Sequence, residues 1–158
     1  MIHRLNETYV VGISERTTNA DELAGGDRAR IPGLWQRFFA ENVADRIPNR
    51  LVIGQTAVLY TDYESDETGP YRIVIGAIVR DLSEIPPGMV GRTAPAGDYE
   101  KITTARGPLV EVTVATWQNI WNDAELRARR RFQGDLEIYD ERSVDPANAE
   151  LDILIGLK

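Results

Sequence analysis

The two halves of this chain end alike, and that duplication constrains the fold more than any other feature. Val58-Leu59-Tyr60-Thr61-Asp62-Tyr63, a polar loop and Ile73-Val74-Ile75-Gly76-Ala77-Ile78 form the first ending. Glu137-Ile138-Tyr139-Asp140-Glu141-Arg142, a polar loop and Asp152-Ile153-Leu154-Ile155-Gly156-Leu157 form the second. Tyr60 precedes Gly76 by 16 positions and Tyr139 precedes Gly156 by 17. Each ending follows a Trp-bearing segment with helical character. Two copies of one supersecondary unit place their cavity along the pseudo-twofold seam, so the seam is where function is expected.

With 158 residues, 42% apolar and 27% charged, the chain is one globular domain able to bury a core. No apolar run approaches the ~20 residues of a membrane span, so no membrane association is expected. Met1-Ile2-His3-Arg4-Leu5-Asn6-Glu7 lacks the apolar stretch of a signal peptide. The absence of cysteine removes disulfides and thiolate chemistry, and points to a cytoplasmic protein. A net charge of −7 argues against direct binding to DNA. The one basic run, Arg127, Arg129, Arg130 and Arg131, reads as the solvated last turn of a helix, where cations complement the dipole.

Alternation of Tyr9, Val11 and Ile13 makes Glu7 to Arg16 a strand. Thr17 to Arg28, with Gly25-Gly26, reads as a polar connection. Ile31, Leu34, Trp35, Phe38, Phe39 and Val43 form the stripe of an amphipathic helix, with Pro32 suited to its first turn and Pro48-Asn49 ending it. Strands are expected at Leu51 to Tyr63 and Tyr71 to Arg80, around the acidic turn Glu64 to Pro70. Leu82 to Gly97, rich in Pro and Gly, connects this unit to the next. Tyr99 to Ala105 is a strand. Val110, Val112 and Val114 alternate as a strand does, while Val110, Val114, Trp117, Ile120, Trp121 and Ala124 fit a helix, and length favours the helix. Gln133 to Glu141 and Glu150 to Leu157 close the second unit. The fold class is therefore α+β: two strand-helix-strand-strand modules, about 5–81 and about 96–158, in pseudo-twofold array. Helices cover one face of an antiparallel sheet, and a groove runs down the centre.

On the strand before the last, Glu137 and Tyr139 share a face opposite Leu136 and Ile138. If Leu136 and Ile138 cover the helix layer, Glu137 and Tyr139 face the other side of the sheet. The repeat matches Val58 with Glu137 and Tyr60 with Tyr139. Two tyrosines, an aliphatic and one unmatched carboxylate near the axis compose a pocket for a flat, apolar cation. A solvated strand glutamate paired with a neighbouring base is the competing reading, and the pattern alone leaves both open. Trp35, Trp117 and Trp121 serve core packing in the plain reading, though a Trp117–Trp121 pair could also line the cavity edge. Tyr71 and Tyr99 are rim or strand-surface candidates. His3 is the only histidine, so no His-based triad or metal site is available. Asp62, Glu64, Asp66 and Glu67 read as a solvated turn. No cofactor, metal or catalytic constellation is called for.

Ile31-Pro32-Gly33-Leu34-Trp35-Gln36-Arg37-Phe38, Pro95-Ala96-Gly97-Asp98-Tyr99, Thr116-Trp117-Gln118-Asn119-Ile120-Trp121, Leu136-Glu137-Ile138-Tyr139-Asp140-Glu141 and the Asp145-Pro146-Ala147-Asn148-Ala149-Glu150 turn together resemble the GyrI-like family. That family includes the effector-binding domain of AraC-type transcription activators. The resemblance implies a central groove for small lipophilic cations, with Glu137 as its buried glutamate. It implies groove aromatics at Trp35, Tyr71, Trp117 and Trp121, and Tyr139 beside them. It departs from the activators in leaving no room for a helix-turn-helix domain ahead of the first strand, so a stand-alone ligand-binding protein that senses or sequesters a hydrophobic cation is expected. Two alternatives follow from the same resemblance. One is a hydrolase of cyclopropane-type electrophiles using Glu137 and a groove tyrosine. The other is an inhibitor of a protein partner such as DNA gyrase, contacted through the acidic surface from Asp62 to Glu67.

Overall fold

The computed structural model describes residues 1–158. Its strands are β1 (Ile2–Leu5), β2 (Thr8–Thr17), β3 (Thr56–Thr61), β4 (Tyr71–Val79), β5 (Val90–Ala94), β6 (Gly97–Thr103), β7 (Arg130–Tyr139) and β8 (Asp152–Leu157). Its helices are α1 (Asn19–Ala24), α2 (Ile31–Ala40), α3 (Val43–Arg46), α4 (Leu109–Asn122) and α5 (Ala124–Arg129). All strands join one antiparallel sheet in the order β1-β6-β8-β7-β3-β4-β2-β5. The inner six read as β6-β8-β7 set against β3-β4-β2, so each strand-helix-strand-strand unit meets its counterpart at the β3–β7 pair.

Each unit's leading strand crosses to the other unit: β1 pairs with β6, and β5 pairs with β2. This exchange forces the sheet to curl. β1 and β2 stand six inter-strand spacings apart in the order, about 29 Å if the sheet were flat. Leu5 and Thr8 are three residue steps apart, which reach at most about 11 Å. Ala94 and Gly97 impose the same limit at the other edge. The inside of the curl is filled by Val10, Ala57, Leu59, Val74, Ala94, Tyr99, Leu136 and Leu154. Neither β1 nor β5 was legible as a strand, because both are short edge strands and β5 lies in the Pro- and Gly-rich connection.

The outer face carries two further cores. Leu34 and Phe38 of α2 pack on Val11, Ile13, Ile73 and Ile75, while Trp117 and Ile120 of α4 pack on Ile153 and Ile155. Tyr60 and Tyr139 touch both cores, so they bridge the two helices. Leu136 and Ile138 pack inside the curl, which corrects the expected orientation: Glu137 and Tyr139 face the helices. The repeat also slips. Val58 is the cross-strand partner of Glu137, Ile75 pairs with Val58 and Ile153 with Glu137, so the true counterpart of Gly76 is Leu154 rather than Gly156. The slip is two residues, an even number, so every side chain keeps its face.

Other expectations change locally. Leu51 to Gly54 turns instead of extending, with Asn49 (φ 61°) and Gly54 (φ 85°) in the left-handed region, and Leu51, Val52 and Ile53 are exposed. The connection after β2 contains α1, which Thr18 caps by accepting a hydrogen bond from the Asp21 N–H. Val110 to Val114 is helical. Arg130 is not a solvated helix end: it opens β7, is 1% exposed and donates through Nη2 to Asp135 at 2.7 Å. The acidic turn is engaged, not free: Arg127 donates to Glu67 and Asp66, and Asp62 accepts from Arg72 and Arg92. No helix is long and apolar enough to cross a membrane.

Candidate functional site

The site sits where the seam, β3 beside β7, passes under the gap between α2 and α4. A cavity of about 830 Å³ opens there. Period-two alternation sends Tyr60 from β3, Tyr71 from β4 and both Glu137 and Tyr139 from β7 to this face. The helical stripe brings Trp35 from α2, and the i, i+4 spacing brings Trp117 and Trp121 from α4. Trp35, Tyr71, Trp117, Trp121, Glu137 and Tyr139 all line the cavity. Tyr99 does not: it lies inside the curl, donates to the Pro95 carbonyl at 2.6 Å and carries Arg131 over its ring at 4.8 Å.

Glu137 forms the floor and is 2% exposed. Its Oε2 accepts from the Tyr60 hydroxyl at 2.9 Å and from Trp117 Nε1 at 2.6 Å, and its Oε1 accepts from the Tyr139 hydroxyl at 2.7 Å. All three donors are neutral, and no basic side chain pairs with the carboxylate. Burial therefore raises the Glu137 pKa, with the three hydrogen bonds opposing that rise. Burial, then the adjacent carboxylate, pushes the Tyr60 and Tyr139 hydroxyls well above their ordinary value, so both remain donors.

The aromatic walls obey the pseudo-twofold. Tyr139 meets Trp35 edge to face at 5.3 Å between centroids, and Tyr60 meets Trp117 in the same manner at 5.1 Å. Trp121 lies tilted beside Trp117 at 6.4 Å. The symmetry breaks at the carboxylate. The counterpart of Glu137 is Val58, so the strand floor of the cage carries one carboxylate rather than two.

A second polar group borders the first and was missed in the sequence. Asp135, fully buried, accepts from Arg130, from the Tyr63 hydroxyl at 2.5 Å and from the Gly156 N–H at 2.9 Å. Arg130 also lies over Phe132 at 4.3 Å. Asp135 is two positions before Glu137 on β7, and that spacing was the available signal. The α1 wall was missed too. Asn19 accepts from the Tyr71 hydroxyl at 2.8 Å, and Glu22 accepts from the Arg30 and Ile31 N–H groups, capping α2, which has no side-chain cap of its own. The rim is apolar and exposed, with Leu23, Phe39, Val110, Val114 and Val144 around the mouth. No group of three or more acidic or histidine side chains is placed to hold a metal ion.

Comparisons with known proteins agree with this fold. Residues 1–157 match the family model Cass2, integron-associated effector binding protein. YobU of Bacillus subtilis (strain 168), a candidate transcriptional regulator by its name, is 30% identical over 158 residues, covering 99% of this chain and 96% of its own. An integron cassette protein from the mobile metagenome of Vibrio cholerae superposes with a TM-score of 0.76 at 27% identity, covering 100% of this chain and 95% of that one. SAV2435, solved bound to tetraphenylphosphonium, shares the fold with a TM-score of 0.76 at 16% identity, covering 100% of this chain and 93% of that one.

Proposed function

This chain belongs to the Cass2 family of integron-associated effector-binding proteins, and from that footing we propose that it binds a hydrophobic, positively charged small molecule in the cavity between α2 and α4. One observation carries the reading: a buried carboxylate, surrounded by aromatic rings and neutral donors, with no base to balance it. A cation entering the cavity would supply the missing charge, and the rings would attract it through their quadrupoles, each by ~0.5–2 kcal/mol. The binding residues are Glu137, Trp35, Tyr71, Trp117, Trp121 and Tyr139, joined by Tyr60. That SAV2435 takes tetraphenylphosphonium supports a large aromatic cation as ligand class here. The broader grouping is the GyrI-like one, and the role is that of a sensor or a sequestering protein.

The alternatives have less support. Glu137 lies beneath three donors, a poor position from which to direct water at an electrophilic cyclopropane. The acidic residues from Asp62 to Glu67 are drawn into pairs with Arg72, Arg92 and Arg127, which depletes the surface an inhibitor of a protein partner would use. The test is a titration with tetraphenylphosphonium followed by tryptophan fluorescence. Saturable quenching supports the reading, and an unchanged spectrum at millimolar concentrations sinks it.

A further inference from the structure

We propose a second binding site, for a phosphate group, on the face of the sheet opposite the cation cavity and independent of what that cavity binds. Val10, Val74 and Ala94 fill the inside of the curl. Period-two alternation puts Arg16, Arg72 and Arg92 on the same face, where the apolar filling ends and their side chains are 26 to 40% exposed. The three guanidiniums converge on one residue. Arg72 Nε and Arg92 Nε donate to the same Asp62 oxygen, Oδ2, at 3.3 and 3.0 Å, and Arg16 Nη1 donates to the Asp62 carbonyl at 2.9 Å. Arg72 Nη1 also donates to Ser14 Oγ at 2.8 Å, which fixes the plane of its fork. Nη2 of Arg72 and Nη2 of Arg92 make no hydrogen bond within the protein. Arg16 Nη2 has only Glu64 at 4.0 Å, on a side chain 67% exposed.

The fold does not account for this arrangement. Arg16 and Arg72 are direct cross-strand partners, a like-charge pair that costs stability. The second module does without it. Carrying the pseudo-twofold outward from the Ile13–Ile75 and Ile102–Ile153 pairs, Ala105 and Glu150 stand where the first module has Arg16 and Arg72, and His3 stands where it has Arg92. Three positive charges against the single charge of Asp62 leave an excess of two, in a chain whose net charge is −7. A doubly charged oxyanion balances that excess, and guanidinium forks match the oxygen spacing of phosphate. A phosphate monoester carries both charges above its second pKa, about 6. A carboxylate brings only one.

The experiment follows the arginine Nε–H signals in proton–nitrogen NMR spectra during titration with inorganic phosphate and with phenyl phosphate, at pH 7.5 and constant ionic strength. Saturable shifts of Arg16, Arg72 and Arg92 are expected with both. Equal affinities assign the site to the free anion, a tighter ester assigns it to a phosphorylated molecule, and either result supports the site. Phenyl phosphate at pH 5, where it is a monoanion, should bind several-fold more weakly. Arg16→Gln removes an exposed side chain hydrogen-bonded only to a backbone carbonyl, so it should fold normally and weaken binding about tenfold. Glu64→Gln, which removes a competing carboxylate, should tighten binding by up to about fivefold. Shifts that never saturate at tens of millimolar, an Arg16→Gln variant that binds as the wild type does, or tighter binding at pH 5 overturns the proposal.

Discussion

Val58 and Glu137 are direct cross-strand partners on the central strand pair, one apolar and one acidic at equivalent positions of the duplicated chain. The pseudo-symmetry supplies the facing Trp35–Tyr139 and Trp117–Tyr60 pairs, and this difference supplies the charge at their floor. Because no base balances Glu137, the ligand-free protein carries the cost of a buried, unpaired carboxylate.

That cost has a pH signature. Burial raises the Glu137 pKa in the folded state, so the folded protein keeps this proton to higher pH than the unfolded chain does. The contribution of Glu137 to stability is most favourable below the ordinary carboxylate range, and is lost as pH rises through the raised folded value. Urea unfolding of wild type and Glu137→Gln across pH 4 to 8 checks it. The wild type should lose stability relative to the variant as pH rises, and a difference that grows in the opposite direction contradicts the assignment.

Binding of a permanent cation should show the complementary dependence. The ligand favours the ionised carboxylate, so affinity for tetraphenylphosphonium rises with pH through the Glu137 titration, and binding within that range releases a proton. Calorimetry in buffers of different ionisation enthalpy measures the released proton directly. Glu137→Gln should show neither effect.

The helical stripe of Ile31 to Phe39, the period-two strands and the seam between the halves were legible because hydrophobic periodicity is local. The expected run of that helix to Pro48, by contrast, breaks at Asn42 (φ 48°), after which α3 starts anew. The face assignment of Glu137 was not, because both faces of this sheet are apolar: Leu136 packs inside the curl while Val58 and Ile153 pack under the helices. Alternation says which residues share a face, and the exchange of β1 and β5 decides what covers each face. Arg130 was misread because its partner Asp135 lies across a bulge containing Phe132 at φ 53°, which no periodic template registers. The α1 wall carried a weak signal in Thr18 followed by Asp21 and Glu22.

Arg130 and Asp135 form a buried pair whose disruption should be costly. Asp135→Ala leaves Arg130 uncompensated and removes the acceptor of Tyr63, a loss of about 3–5 kcal/mol. At roughly 2–4 °C per kcal/mol, thermal unfolding should fall by about 6–20 °C. Joint replacement by apolar residues, Arg130→Met with Asp135→Leu, should recover much of it. A double variant worse than the single would show that the pair is intrinsically stabilising.

Two glycines separate backbone contact from simple propensity. Gly76 faces Gly12 across β2 and β4, and a Cβ on Gly76 would sit 1.8 Å from the Val11 carbonyl oxygen. Gly76→Ala should cost more than about 3 kcal/mol or prevent folding, as overpacking against backbone does. Gly33→Ala, where a Cβ meets nothing within 4 Å, should stabilise α2 by up to about 1 kcal/mol. Chemical denaturation of the two variants measures both, and equal effects would contradict the packing argument.

Trp121 is half-buried beside Trp117, lines the cavity and packs against the outside of the core under α4, whereas Trp117 is part of that core. Trp121→Ala should weaken binding of a planar cation by about 1–2 kcal/mol while moving the unfolding midpoint little. Trp117→Ala should damage both, since it also removes a donor from Glu137. Parallel titrations and melts separate the two roles.

The most direct measurement is the affinity of tetraphenylphosphonium for wild type and Glu137→Gln at pH 7.5, by tryptophan fluorescence. A unit charge about 6 Å away at an effective dielectric of about 20 contributes about 2.8 kcal/mol, close to a hundredfold. The expected result is a variant that folds normally and binds roughly a hundredfold more weakly. Equal affinity for the two proteins would contradict the account.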